Sequence, residues 1–340
     1  MNKSVETMIN QSLILQRRPS GLATNLDVVL ESREVPPLDD GSVLLKNKFF
    51  SIDPAIRDWM SDRQSYLPPI PIGSVVRSTT LGEVVESRHP SFKRGQLVWG
   101  LNGWEEYSAT PGENLVPVPE ILSDQPQQSL SIYGAVGMTA YFALLEVGLP
   151  QPGDTVLVSG AAGMVGSLVG QIAKIKGCRV VGIAGSEEKC RWLGELGFDA
   201  AINYKACDDL SLEISKACPE GVDIYFDNVG GAILDAALLH INHRARIVFC
   251  GAISTYNSSE PVPGPYNMWQ ILAKSARLEG FLVRDYFHRF PEGTHQMKDW
   301  VDSGKIRYSE HMVDGIENTL AAFNMLFEGK NNGKMLVRLS

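Results

Sequence analysis

The chain has 340 residues, more than the roughly 250–300 at which a single hydrophobic core stops growing, so two domains are expected. Hydrophobic residues make up 44% and charged residues 21%, which excludes a disordered or coiled-coil chain, and a net charge of -8 argues against nucleic acid or an anionic membrane as the main partner. The five cysteines, Cys178, Cys190, Cys207, Cys218 and Cys250, form no C-x-x-C pair and are odd in number; with no N-terminal apolar run long enough for a signal peptide, the expectation is a reducing, cytoplasmic setting.

In chain order, the first third alternates short extended runs with Pro- and Gly-rich turns, as in "LDVVLESREVPPLDDGSVLLKNKFFSIDP" and "GQLVWGLNGWEEYSAT", which predicts a compact β domain. "DDG" at Asp39 to Gly41 reads as a turn between two of its strands. From Tyr133 the period becomes helical, and "YGAVGMTAYFALLEVG" predicts a helix ending at Gly148 as its C′ residue. The charge-free stretch from Thr155 to Ala173 is as long as a membrane span, but its glycines and its change from strand-like to helix-like pattern reject that reading. Strands are predicted at 155–159, 179–184, 201–202, 223–227, 245–250 and 278–283, and helices at 165–176, 187–196, 210–217 and 233–240. This alternation implies a doubly wound parallel sheet. The tail after Gly304 ends in "GKMLVRLS", an extended segment suited to pairing with the first domain. The fold class is therefore α/β, with boundaries at 1–130 (completed by 304–340) and 131–303.

The stretch "VLVSGAAGMVGSLVGQIAKIKGC", Val156 to Cys178, approaches the G-x-G-x-x-G fingerprint, with Gly163 and Gly166 in the last two glycine positions and Ala161 in the first. Gly160 is placed to relieve the turn that the first glycine usually makes, and the helix start at Val165 would receive a pyrophosphate. The bland alternative is a strand–turn–helix without a ligand. Where an NAD-binding fold places an acid at the end of the second strand, this chain reads "AGSEEK", with Gly185 and Ser186 at the strand end and Lys189 one turn on. An ammonium without a competing carboxylate suits a ribose 2′-phosphate, so NADPH is expected over NADH; Glu187 and Glu188 are expected to face solvent as first-turn acids. A solvated helix charge is the alternative for Lys189.

The run "GAAGMVGSLVGQIAKIKGCRVVGIAGSEEK", with "LGFDAAINYK", "YFDNVGG", "CGAISTYN", "SIDPAIRDWMSDRQSY" and "NNGK", resembles the zinc-independent medium-chain dehydrogenase/reductases, in the leukotriene B4 12-hydroxydehydrogenase, prostaglandin reductase and 2-alkenal reductase branch. The resemblance implies a GroES-like β domain completed by the C-terminal segment, a Rossmann NADP-binding domain and a homodimer. It places NADP contacts at Gly163, Met164, Val165 and Gly166, at Lys189 and Tyr204 around the 2′-phosphate, and at Asn228. Further contacts fall at Cys250, Gly251, Ala252, Ile253, Ser254, Thr255 and Tyr256, at Phe281, Leu282 and Val283, and at Asn331. Two departures concern the substrate: Ala55 and Ala273 stand where members of the family carry tyrosines.

No metal site is expected, because no cysteine precedes Cys178, the G-H-E of zinc alcohol dehydrogenases is missing and the six histidines are scattered. His240 and His243 are expected to share the end of one helix. The Y-x-x-x-K pair of short-chain reductases is absent, and Tyr204 and Lys205, being adjacent, fall on opposite sides if extended. Lacking both electrophiles, the chain suits hydride delivery to the β-carbon of an α,β-unsaturated ketone or aldehyde, with a hydrogen-bond donor on the carbonyl oxygen. Tyr256 is the first candidate donor and Tyr266 the second, with the cofactor's ribose hydroxyl a third; a purely structural Tyr256 stays open. Arg57 is a candidate for attracting a carboxylate tail, against an ion pair with Asp53 or Asp58, and Tyr66 with Trp59 a candidate apolar wall. Thr139 either meets the nicotinamide amide or bonds its own helix backbone. The competing functions are a quinone reductase using the same cofactor and a non-catalytic NADPH-binding protein of the same fold.

Overall fold

The computed structural model describes residues 8–260 and 262–339; residues 1–7, at the start of the segment read above for a signal peptide, lie outside it. Two compact units result, one of residues up to Leu130 with Glu310–Asn331 and the chain from Met335, the other of Ser131–Ser309 with Asn332–Lys334.

The first unit runs through β1 (Ile9–Leu15), β2 (Val28–Glu34), β3 (Ser42–Ser51), α1 (Ala55–Trp59), β4 (Arg77–Ser87), β5 (Leu97–Gly103), β6 (Tyr107–Pro111) and β7 (Leu115–Pro117). The second follows with α2 (Ala135–Phe142), β8 (Thr155–Val158), α3 (Met164–Ile175), β9 (Arg179–Ala184), α4 (Glu187–Glu195), β10 (Ala200–Asn203) and α5 (Leu210–Ala217). It continues with β11 (Val222–Asp227), α6 (Gly231–Leu238), β12 (Ile241–Phe249), α7 (Trp269–Ala273), β13 (Arg277–Gly280) and α8 (Phe290–Asp302). The chain then adds β14 (Glu310–Asp314), α9 (Thr319–Glu328) and β15 (Lys334–Arg338).

In the first unit β1 and β2 form a hairpin-like pair, and a seven-stranded sheet runs β14-β15-β3-β4-β5-β7 with β6 also on β3. The C-terminal β15 lies antiparallel to β3, with Leu336 opposite Ser51, so the tail does return to this sheet. Alternating apolar residues turn inward, and Trp104, fully buried, meets Phe323 of α9 edge to face at 5.4 Å. Gly41, at φ 80°, makes the "DDG" turn ahead of β3, with Ser42 N donating to Asp39 O.

The second unit is a six-stranded sheet ordered β10-β9-β8-β11-β12-β13, with every neighbouring pair parallel. Numbered within the unit this is 3-2-1-4-5-6, the doubly wound dinucleotide-binding order, whose topological switch point lies between β8 and β11. The stretch that mimics a membrane span divides into β8 and α3, and no helix among the described residues is long and apolar enough to cross a membrane.

Three boundaries differ from the sequence reading, each for a local reason. After α2 the chain continues in π-helical turns to Gly148, and the left-handed residue is Leu149 (φ 50°), its N donating to Leu144 O. Gly148 serves close packing instead, since a Cβ there would stand 3.1 Å from Leu144 and 3.6 Å from Ile224 and Val248. β12 begins before Ala245, because Arg244 at φ 61° bulges the strand without ending it. β13 stops at Gly280, so Phe281, Leu282 and Val283 lie beyond the sheet. His240 and His243 do not share a helix: α6 ends at Leu238, and His243 lies in β12.

Candidate functional site

At the switch point the glycine turn follows β8. Gly160 adopts φ 57°, so the left-handed residue sits one place earlier than in the usual fingerprint and Ala161 need not be glycine. Ala161 is buried, with its methyl against Gly182 of β9. Gly163 caps α3 without a side-chain acceptor, which leaves first-turn amides for an anion. A Cβ on Gly163 would meet only Gly160 O, at 3.3 Å, so the backbone there is open to close approach. On Gly166 it would strike main chain, 2.6 Å from Gly160 O and 2.7 Å from Ala161 Cα, because here the helix crosses its own turn. Gly333 of "NNGK", the residue two beyond Asn331, forms an isolated parallel bridge with Gly163.

A buried acid that the sequence reading passed over ties this turn to its neighbours. Asp227, fully buried at the end of β11, accepts at Oδ1 from the Ser159 and Tyr225 hydroxyls, both at 2.8 Å, and from the amides of Val229 and Gly230, both at 3.0 Å. Its main-chain oxygen accepts from Cys250 N at 2.9 Å and Gly251 N at 3.1 Å. Asn228 completes the stitching, donating from N to Ser159 Oγ and from Nδ2 to Ser159 O. One residue therefore anchors the loops after β8, β11 and β12. Burial raises its carboxyl above the usual range against the opposing pull of these bonds; the Cys250 thiol is pushed up to about 12 by its own burial first and by the nearby Asp227 charge second, so Cys250 stays protonated.

The loop after β12 is closed over the glycine pair of "DNVGG". Ser254 Oγ donates to Val229 O at 2.6 Å, and Gly230 and Gly231, both at positive φ, pass within 3.2 Å and 3.0 Å of Ala252 and Ser254 as judged by an added Cβ. Ile253, Ser254 and Thr255 form one 3-10 turn, and Tyr256 follows with its hydroxyl accepting from Ala252 N at 3.2 Å. Phe281 N donates to Phe249 O, and the ring stacks on Tyr286 at 5.1 Å.

At the end of β9, Ser186 caps α4 by accepting from Lys189 N. Lys189 is half-buried, and burial together with the nearby Lys205 charge lowers its pKa. Glu187 and Glu188 are exposed, and Glu187 accepts from Asn203 Nδ2 at 2.7 Å. Tyr204 and Lys205 do not lie on opposite sides: both approach Gly185, within 3.1 Å and 3.3 Å of an added Cβ. The chain has left the extended form there, with Lys205 N donating to Asn203 Oδ1.

Tyr266 is 82% exposed. Arg57 is 3% exposed in the first unit and donates to Gly21 O and Pro19 O, so its guanidinium clamps a loop and is not open at a surface. Asp58 pairs with Arg63 at 3.6 Å. Tyr66 stands edge to face with Trp59 at 6.1 Å. Thr139 Oγ1 donates to Ala135 O at 2.7 Å, the helix-backbone bond weighed above. Among the described residues, no three His, Cys, Asp or Glu side chains are grouped to hold a metal ion.

Residues 11–118 match the family described as the N-terminal domain of oxidoreductase, and residues 164–299 match the family described as zinc-binding dehydrogenase. The NADPH-dependent curcumin reductase of Escherichia coli (strain K12) is 44% identical over 340 residues, covering 97% of each chain. The 2-alkenal reductase (NADP(+)-dependent) of Nicotiana tabacum is 40% identical over 342 residues, covering 98% of this chain and 99% of its own. The crystal structure of CurA in complex with NADPH from Vibrio vulnificus superimposes with a TM-score of 0.92 at 41% identity, covering 97% of this chain and 99% of its own. With sequence and fold agreeing along nearly the whole length, the chain belongs to the zinc-independent medium-chain dehydrogenase/reductases, a GroES-like domain joined to a Rossmann domain, in the branch of the prostaglandin and 2-alkenal reductases.

Proposed function

We propose that the chain reduces the carbon–carbon double bond of α,β-unsaturated ketones and aldehydes with NADPH, the hydride going to the β-carbon. The observation that carries this reading is an uncapped, glycine-lined helix start after β8 beside a cationic end of the neighbouring strand β9, in a chain whose relatives are named for NADPH, NADP(+) and 2-alkenals. A 2-alkenal carries a double bond conjugated to a carbonyl, the acceptor class proposed. NADPH is the cofactor.

The amides of Met164, Val165 and Gly166 would hold the pyrophosphate, and Lys189 and Tyr204 the 2′-phosphate. Asn228, the turn from Cys250 to Tyr256, Phe281 to Val283, and Asn331 would line the rest of the cofactor. When bound, the reduced nicotinamide supplies the hydride. Tyr256, fixed at its oxygen by the Ala252 amide, would donate to the substrate carbonyl oxygen as negative charge gathers there. Tyr266 is the weaker candidate, because an exposed phenol lacks the fixed position this role needs. With the thiol of Cys250 held neutral, no thiolate competes for the electrophilic alkene.

Loss of NADPH absorbance is followed with panels of enones, alkenals and quinones, and the products identified. Saturated ketones and aldehydes support the reading. Turnover of quinones alone, or tight NADPH binding without turnover of any activated alkene, overturns it. Lys189→Ala is expected to weaken NADPH by about tenfold to a hundredfold in calorimetry while leaving NADH unchanged, the range for a charged hydrogen bond. Equal losses for both would remove its role.

A homodimer fits this reading. The edge strand β13 is exposed along its length, and Trp269 and Leu272 of the preceding α7 are exposed apolar side chains, a surface suited to a second copy of the chain. Light scattering is expected to give the mass of two chains, falling to one in Trp269→Asp; a wild-type monomer would contradict the pairing. A cytoplasmic setting is part of the same proposal, supported by five cysteines that form no C-x-x-C pair.

A further inference from the structure

We infer that Lys205 is a second cation for the cofactor's 2′-phosphate and a determinant of NADPH over NADH, and that Asn203 is the positioning residue that delivers it. The inference rests on the NADPH reading above and adds two residues to it.

The placement begins with the end of β10. Tyr204 N still donates to Ala184 O, continuing the ladder to β9, but Asn203 Oδ1 accepts from Lys205 N at 3.2 Å and Asn203 O accepts from Ala206 N at 3.1 Å. An Asx-type turn of this kind replaces the extended geometry that would separate neighbouring side chains. Lys205 therefore folds back beside Tyr204, its Nζ 5.9 Å from the ring centroid, and both reach Gly185 at the mouth of β9. Gly185 leaves room for this meeting; a Cβ there would already stand 3.1 Å from Tyr204 Cε1 and 3.3 Å from Lys205 Cε.

The charges point the same way. Lys205, beside Tyr204 and Gly185, lies near enough to Lys189 for the two ammonium groups to repel. Gathering like charges at one strand end costs free energy that a dianion between them would reverse. Of the two first-turn acids of α4, Glu188 offsets part of this repulsion at Lys189, while Glu187 is turned to Asn203 Nδ2 at 2.7 Å. Asn203 thus uses both ends of its amide, the oxygen to turn Lys205 inward and the nitrogen to hold a carboxylate. A ribose carrying only a 2′-hydroxyl offers no charge to this pair, so its binding should not depend on Lys205.

The test is calorimetric titration of ligand-free protein with NADPH, NADH and adenosine 2′,5′-bisphosphate, for wild type, Lys205→Ala, Lys205→Arg and Asn203→Ala. Thermal melting checks that each variant is folded. Lys205→Ala is expected to weaken NADPH and the bisphosphate by about tenfold, leave NADH unchanged and flatten the salt dependence of NADPH binding. Lys205→Arg restores most of the affinity, and Asn203→Ala shifts the ligands in the same direction as Lys205→Ala. Wild-type NADPH affinity in Lys205→Ala, or an equal loss of NADPH and NADH, overturns the inference while leaving the cofactor reading intact. A wild type that binds neither NADPH nor the bisphosphate overturns both.

Discussion

Gly166→Ala is expected to lower NADPH affinity by about a hundredfold or more, with a loss of about 1–3 kcal/mol in stability. The added methyl would lie 2.6 Å from Gly160 O, 2.7 Å from Ala161 Cα and 3.1 Å from Ala161 C, all main-chain atoms that cannot rotate aside. Relief comes only by moving α3 away from the turn after β8, and the displaced part is the helix start whose amides are proposed to hold the pyrophosphate. Gly163→Ala is the informative contrast, since its methyl meets only Gly160 O at 3.3 Å. That variant should melt close to wild type yet bind NADPH less well, because it obstructs the ligand's approach to the backbone. Titration and melting of both variants check this. Wild-type affinity in Gly166→Ala would show that the turn does not hold the pyrophosphate.

Asp227→Ala is expected to be the most destabilising single change at the site, by about 3–5 kcal/mol. It leaves the Ser159 and Tyr225 hydroxyls and the Val229 and Gly230 amides without their shared acceptor, in a place with no solvent to replace it. The loops bearing Asn228 and Cys250 lose their anchor together, so cofactor affinity falls with stability. Asp227→Asn keeps the Oδ1 acceptor and should fall between, because its amide nitrogen takes the place of Oδ2, a buried atom with no partner among the described residues. The two are also separated by pH. Burial raises the folded carboxyl's pKa above its unfolded value, so its contribution to stability is fully present below the unfolded pKa and is lost as pH rises through the folded one. Relative to Asp227→Asn, wild type should therefore be favoured most in acid and lose that advantage as pH rises through that value. Denaturant melts across the acidic range measure the difference, and parallel curves would contradict a raised carboxyl.

How much of this was legible in the sequence depended on how local its causes are. β9 and α5 lie where period and flanking residues put them, because a run such as "RVVGIA" has one buried solution and Asp209 caps its own helix by accepting from Leu212 N. The tail was less legible: α8, α9 and β14 went unread, although Pro291 near the start of α8 and the spacing of Met297 and Trp300 are helix signals. Leu149 and Arg244 take left-handed backbone without being glycine or asparagine, so composition gave no warning of the shifted helix end or the bulge.

For the site, the glycine turn and the position of Lys189 in the first turn of α4 could be read because both follow from spacing within one βαβ unit. Asp227 could not, since its role comes from Ser159, a partner 68 positions away, and in "YFDNVGG" it looks like an ordinary strand-end acid. Lys205 was hidden by the assumption of extended backbone, which Asn203 breaks. Arg57 misled in the opposite direction, because a guanidinium in a polar run reads as exposed until the carbonyls of Pro19 and Gly21 are seen around it.

The central claim is the destination of the hydride, and isotope transfer tests it most directly. The protein is incubated with a simple enone and NADPH deuterated at its transferable position, and the product is examined by nuclear magnetic resonance. The expected product is the saturated ketone with deuterium on the β-carbon and a solvent-derived hydrogen on the α-carbon. Deuterium on the former carbonyl carbon of an allylic alcohol would contradict the account, as would no deuterated product at all.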